Sequence, residues 1–460
     1  MRSTDGLLPY LLFGLLPLGL MLLYLVRGGR LELASLRFAG ILLLWVSYHL
    51  SPWLFYLQGS WNSFLLVPRF IGAALLFSTL SMFAFLLGYS WAGGGVRRGQ
   101  VKALLASDAF RVKPYILVVL STFLLIAMVV QAGGVEQVWA SDLPRGFGQF
   151  ATRDAVGKLS QMVAVLAGAA GVVVATVASV VLLRNRALTA PWWVGIFSLV
   201  VALLPGIWAF SRGAGAPLGI FAFIAFRLGT NRSLTAGVGA LFLAWNLGQI
   251  GLNERGNYYP GVGNFLAAVI SDESDLQRHH RIRALPFGPA DNPLEAVSAW
   301  TRKAQQRKLD DPDGLASLIS VLWHLNPVPS EFTGLPPIGR DLAKVMGTFG
   351  STGLTSPLLA DLFYAFGYLG SVFMLLIGAV CGWFEKQART SPGLDYEIGV
   401  VLCLIGLGIG SQLGLRAATR PLFYALVLVW ITRKGGNHEI PSGRPVVARS
   451  TNNRKVGGLG

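Results

Sequence analysis

Charge is what this sequence has least of. Asp, Glu, Lys and Arg together make up 13% of 460 residues, whereas a soluble domain carries about 25%. That deficit excludes a soluble protein of this length. Cysteine is nearly absent. Cys381 and Cys403 each fall inside an apolar run and imply neither a disulfide framework nor a metal cluster. The five histidines include no HExxH or comparable spacing, so no metal site is expected. His279 and His280, in QRHHRIR, read as a solvated basic turn. Acid is scarce relative to base, 22 residues against 38, for a net charge of +16. Much of that excess lies in short loops and the C-terminal tail, where it sets membrane topology, so no nucleic-acid partner is expected. Internal repeats are missing, which argues against a secondary transporter built from related halves.

What remains is hydrocarbon. The chain is 53% hydrophobic, and long apolar runs recur along it, the mark of a polytopic helical membrane protein. The spacing predicts about eleven spans, at 7–26, 36–57, 64–92, 114–132, 159–183, 191–211, 214–230, 233–252, 357–384, 395–415 and 418–433. The first run is too long for a signal-peptide core and lacks a small-residue cleavage site, so it reads as a retained helix. Residues 1–252 form one transmembrane unit, 253–356 a large loop, 357–434 the last three spans, and 435–460 a polar, disordered tail.

Lys and Arg orient the spans. Arg97, Arg98, Lys102, Arg111 and Lys113, then Arg184 and Arg186, Lys386 and Arg389, and Arg433 and Lys434 fall on one side if the spans alternate. The positive-inside rule makes that side the cytoplasm. The opposite face carries the connections at 133–157, 211–215 and 416–420, and the large loop. Within that loop, 292–309 is amphipathic and helix-like, and 314–325 is apolar but too short to span. The stretch HLNPVPSEFTGLPPIGR at 324–340 is stiffened by its prolines, which fix φ and push their preceding residues to extended geometry. It reads as a rigid lid over a cleft or as a passive connector.

Arginines on this outer face break the positive-inside trend: Arg145, Arg153, Arg212, Arg255, Arg340, Arg416 and Arg420. Arginine presents a planar fork of donors suited to phosphate and diphosphate. Arg416 and Arg420, four apart, share one face of a continuing helix. Arg212 lies in AFSRGAG, where small neighbours let a ligand approach the backbone. The competing reading makes each an interface anchor that snorkels to water or lipid phosphate. Carboxylates able to act as a general base are Glu254, Glu295, Glu331 and Asp361, with helix capping or ion pairing as the competing role. His324 is a further candidate base.

The run AFSRGAGAPLGIFAFIAF, the large loop, LNPVPSEF, then GTFGSTGLTSPLLADLFYAFGYLGSVFMLLIGAVCG and RAATRPLFYALVL resemble the Wzy-type polysaccharide repeat-unit polymerases. That family includes polymerases of O-antigen, enterobacterial common antigen and exopolysaccharide. The resemblance covers roughly 195–430; the first 190 residues match in hydropathy and in the GGVEQVW loop. It implies a GT-C-like membrane glycosyltransferase of the bacterial inner membrane, related in architecture to O-antigen ligases and peptidoglycan polymerases. Its active site would face the periplasm, and it would be metal-independent, inverting and without a cofactor. The implied donor and acceptor are undecaprenyl-diphosphate-linked oligosaccharides, with membrane lipids, a chain-length regulator and a flippase as partners.

By position, the resemblance places diphosphate-binding roles on Arg212, Arg416 and Arg420 and a catalytic role on Arg255; the outer-face arginines Arg340, Arg145 and Arg153 are further candidate substrate contacts on their residue type alone. Glu331, Glu254 or His324 would take the acceptor proton. The alternatives are an O-antigen-ligase-like transferase, which shares the donor, a polysaccharide or lipid transporter, and a non-catalytic assembly subunit.

Overall fold

The computed structural model describes residues 5–28, 32, 34–57, 68–93, 114–141, 155–185, 187–253, 259–270, 301, 357–390, 393–413 and 415–436. These residues are helical throughout, with no strand among them. In lipid every backbone N–H and C=O needs an internal partner, and a helix supplies them all within one segment. The helices are α1 Leu8–Phe13, α2 Leu16–Gly28, α3 Leu36–Trp45, α4 Ser51–Leu57, α5 Pro68–Trp91, α6 Pro114–Ala132, α7 Val135–Trp139 and α8 Ala155–Arg184. There follow α9 Ala190–Trp208, α10 Ala216–Leu228, α11 Asn231–Asn253, α12 Val262–Ile270, α13 Leu358–Phe366, α14 Ser371–Thr390, α15 Leu394–Leu413 and α16 Leu415–Gly436.

Seven helices among the described residues are long and apolar enough to cross a membrane. They coincide with the expected segments beginning near 7, 64, 114, 159, 191, 233 and 357. The segments expected at 36–57, 214–230 and 418–433 contain shorter apolar helices, Leu36–Leu50, Gly213–Leu228 and Ala418–Thr432. The segment at 395–415 is α15, with Asp395 and Glu397 in its first turn. Some expected segments are subdivided. The first bends at Gly14 between α1 and α2. The second passes from α3 through a π-helical turn, Val46–Leu50, into α4. The ninth opens as α13, which stops at Gly367, where φ is 57°, and resumes through a 3-10 turn as α14. The stretches at 292–309 and 314–340 lie outside the described residues apart from Thr301, as does the tail beyond 436.

Polar contacts define two ends. At one, Arg227 in the last turn of α10 reaches Glu385 Oε1 on α14 at 2.7 Å and Glu397 Oε1 on α15 at 2.9 Å. Arg389 Nη2 donates to the same Glu385 oxygen at 2.7 Å. Glu385 Oε2 accepts the N–H of Leu36 at the start of α3 at 2.6 Å, and Arg227 Nη1 also donates to the Ala34 carbonyl. Beside them Arg37 pairs with Glu32 at 2.8 Å and lies 3.7 Å from the centre of the Tyr24 ring. This end joins the start of α3, the end of α10, the end of α14 and the start of α15, as strict alternation of the spans requires. We call it the ion-pair end. The other, where the chain between α11 and α13 leaves and returns, is the loop end.

Glycine sets the closest packing. Gly378 and Gly382 of α14 rest against the carbonyls of Phe85 and Tyr89 on α5, and Gly88 of α5 rests against the carbonyl of Leu375. Both sequence numbers increase together along the contact, so these helices run parallel. Without a hydrophobic driving force inside a bilayer, small residues four apart let backbones approach and gain dispersion contact. The core continues through Phe77, Phe85, Tyr89, Met374, Cys381 and Phe384, all buried.

Glu385 is fully buried, so its charge depends on its partners. Removing one partner of a buried pair costs about 3–5 kcal/mol, because the remaining charge is stranded. Arg227→Ala strands Glu397, leaves Glu385 to Arg389 alone, and is expected to lower stability by about that amount. Thermal melting of the protein purified in detergent checks this; an unchanged midpoint would exclude the network as a stabilising joint.

Candidate site at the loop end

Two arginine-bearing helix starts lie at the loop end, each built by close backbone packing. The first follows α9. Pro205 sits inside that helix, which ends at Trp208 and is closed by Ser211 N–H donating to the Gly206 carbonyl at 2.9 Å. The reversal places Phe210 at φ 44°. A left-handed non-glycine residue costs roughly 1–2 kcal/mol. Packing offsets that cost here, since Phe210 is buried against Phe265 of α12 with ring centres 5.1 Å apart.

Ser211 Oγ accepts the Gly213 N–H at 3.0 Å and caps a 3-10 turn, Arg212–Gly215, that leads into α10. Three glycines hold this turn. A Cβ on Gly206 would fall 2.6 Å from Ala214 Cα, one on Gly251 would fall 2.5 Å from the Ser211 carbonyl oxygen, and Gly215 lies against the Ala244 carbonyl. The turn is thus wedged between α9 and α11. Connections from elsewhere close over it. Gly261 N–H donates to the Trp208 carbonyl, Ser141 N–H to the Pro260 carbonyl, and Trp208 Nε1 to the Gln137 carbonyl.

The depth of Arg212 follows from Arg227. A 3-10 turn rises about 2.0 Å per residue and an α-helix about 1.5 Å, so roughly 24 Å of axis separates these residues. That approaches the roughly 30 Å thickness of a hydrocarbon core. With Arg227 fixed at the ion-pair end, Arg212 stands at the opposite boundary.

The second helix start belongs to α16. Asp361 of α13, almost fully buried, accepts the Leu415 N–H at Oδ2, 2.8 Å away. A carboxylate at a helix start satisfies a donor lacking an intrahelical partner and sits at the positive end of the dipole. α13 is tied in turn to the π-helical turn after α3, where Tyr48 Oη accepts the Leu359 N–H at 3.4 Å. Arg416 and Arg420 occupy the first two turns of α16, next to Pro421. Arg420 is half-buried, and its Nε is enclosed with no hydrogen-bond acceptor among the described residues. A half-enclosed guanidinium with an open donor, at a helix N-terminus, is suited to an anion of bidentate geometry.

The structure therefore puts Arg212, Arg416 and Arg420 at one end of the bundle, on two supports: α9 and α11 for the first, α13 and α15 for the others. Asp361, read from sequence as a base or a cap, makes a capping contact. Arg145, Arg153, Glu254, Arg255, His279, His280, Glu295, His324, Glu331 and Arg340 lie outside the described residues. Among the described residues no group of three or more His, Cys, Asp or Glu could hold a metal ion.

Sequence reasoning missed Arg227, Glu385, Glu397 and His49. The available signal was an ionisable residue within or bordering an apolar run, costly in a membrane and therefore purposeful. His49 sits in the π-turn, fully buried, with Nε2 2.7 Å from Ser78 Oγ and its ring against Gly14. No protein-family model, curated protein or solved structure matches the chain.

Asp361→Asn keeps an oxygen acceptor for the Leu415 N–H, whereas Asp361→Ala removes it. Loss of a cap costs about 1 kcal/mol, up to about 2. Hydrogen exchange at the start of α16 is expected to accelerate about five- to thirtyfold in Asp361→Ala and little in Asp361→Asn. Equal exchange in both variants and wild type would remove Asp361 as the cap.

Proposed function

We propose that this chain is a membrane glycosyltransferase. It polymerises undecaprenyl-diphosphate-linked oligosaccharide repeat units at the periplasmic face of a bacterial inner membrane, with a GT-C-like fold of about eleven spans. The observation that carries this reading is the gathering of Arg212, Arg416 and Arg420 at the loop end, with the enclosed Arg420 Nε lacking an acceptor among the described residues. Arg37, Arg227 and Arg389 at the ion-pair end are instead paired with carboxylates. The motif resemblance in 195–430 supports the same reading.

In this mechanism the growing chain on its lipid diphosphate is the donor, and a newly delivered repeat unit is the acceptor. The acceptor hydroxyl attacks the donor's anomeric carbon from the face opposite the diphosphate, inverting it, and the lipid diphosphate leaves. Negative charge builds on that leaving group. Arginines fixed before the reaction stabilise it without reorganisation, the most productive form of electrostatic catalysis. Glu331 or Glu254 takes the hydroxyl proton, with His324 as the neutral alternative and Arg255 beside the reacting centre. Arg340, Arg145 and Arg153 add substrate contacts.

Complementation with Arg212→Ala, Arg416→Ala and Arg420→Ala tests the proposal, in a strain lacking the native gene and with membrane level followed by immunoblot. The expected outcome is unchanged protein level, single repeat units at the surface and loss of long polymer. Removing a single electrostatic donor of this kind lowers rate by about 10²–10³. Persistent long polymer in all three variants would make the arginines interface anchors. Loss of all surface sugar would favour a transporter, and intact polymer left on its lipid carrier would favour a ligase.

A further inference from the structure

A second feature, independent of the proposed reaction, lies toward the ion-pair end. α16 packs chiefly on α15 and leaves a gap between itself and the parallel α5–α14 pair. The gap is a recess of about 440 Å³ lined by Trp91, Ala92, Ala379, Val380, Trp383 and Leu426. Its walls are apolar, and Trp91 and Leu426 are exposed on the flank of the bundle. At its ion-pair end stands Lys386, exposed and one helical turn beyond Trp383. The Lys386 side chain lies across the turn that ends α5: a Cβ on Gly93 would fall 3.2 Å from its Cδ and 3.4 Å from its Nζ. Lys386 makes no ion pair among the described residues, whereas Arg389, one turn on, is committed to Glu385.

We infer that this recess seats one acyl chain of an acidic phospholipid from the leaflet at the ion-pair end, with the headgroup phosphate against Lys386. The length fits. Lys386 to Ala379 is about 10 Å of helix axis, within one leaflet of a hydrocarbon core about 30 Å thick. The position fits too, since tryptophan is favoured where an apolar ring meets the headgroup region. Charge complementarity selects an acidic headgroup. Basic groups beside pockets between spans at the cytoplasmic surface recognise anionic lipid. A neutral lipid would fill the apolar recess equally well but would gain nothing from the lysine.

Quenching of tryptophan by brominated lipid tests the inference on the full-length protein in phosphatidylcholine nanodiscs. The signal of Trp383 is taken as the difference between wild type and Trp383→Phe. Brominated phosphatidylglycerol is expected to reach half-quenching at a mole fraction about fivefold lower than brominated phosphatidylcholine, the discrimination that one lysine near the surface supplies. Lys386→Gln should abolish that difference while leaving the melting temperature unchanged, and Ala379→Leu should reduce quenching by both lipids. Equal half-quenching by the two lipids in wild type would reduce the recess to an ordinary annular contact. No quenching of Trp383 by either lipid would mean that the recess is closed to lipid. A preference for phosphatidylglycerol that survives Lys386→Gln would remove the lysine from the site.

Discussion

Arg227 is the constraint on which the rest of this bundle depends. It ends a short apolar helix and satisfies two carboxylates on two other helices, one of them fully buried. A buried charge pair is weak evidence for stability, since desolvation offsets most of the Coulombic gain. Its value lies in specificity, because any register that separates Arg227 from Glu385 leaves unpaired charge in an apolar medium. Glu385 also takes the N–H of Leu36, so the start of α3 is fixed by the same carboxylate. One oxygen pair thus docks the ends of α3, α10 and α14, and Arg227 extends the joint to α15.

Fixing one end of a short helix fixes the other. α10 and the 3-10 turn before it have little length to spare across a hydrocarbon core, so the anchorage of Arg227 sets the level at which Arg212 emerges. Glycine then decides direction. Gly206, Gly215 and Gly251 let the turn sit backbone-to-backbone between α9 and α11, and Phe210 holds a left-handed conformation to make the reversal. The arginines of α16 are placed by a different device, the Asp361 cap, itself positioned by a helix that leans on Tyr48. Two unrelated local solutions bring arginine to the same end.

The parallel α5–α14 contact has consequences at both ends. Its glycines bring the backbones so close that α16 packs elsewhere, on α15, where Gly406 and Gly410 meet the Ala418 backbone and side chain. The gap that remains beside Trp383 follows from that choice.

Hydrophobic patterning made the class and most helix positions legible, because the bilayer forces any long apolar run into a helix whatever its neighbours. The arginines of the loop end were legible for a related reason: their positions oppose the charge asymmetry that orients spans, and that asymmetry is a property of composition along the chain. The subdivision of the segment at 357–384 was not legible, since it turns on the conformation of Gly367, and neither was the π-turn at Val46–Leu50 that carries Tyr48 and His49. Glu385, a single acid bordering an apolar run, carried a signal but no partner, because Arg227 is 158 residues away. The sequence by itself determined which segments are helical and which connections carry arginine against the charge asymmetry, both consequences of transfer free energy that each segment meets alone. Only the tertiary structure decided which acid meets which arginine, how deep Arg212 stands and where the bundle stays open. Those depend on approach between distant helices, which short-range pattern does not encode.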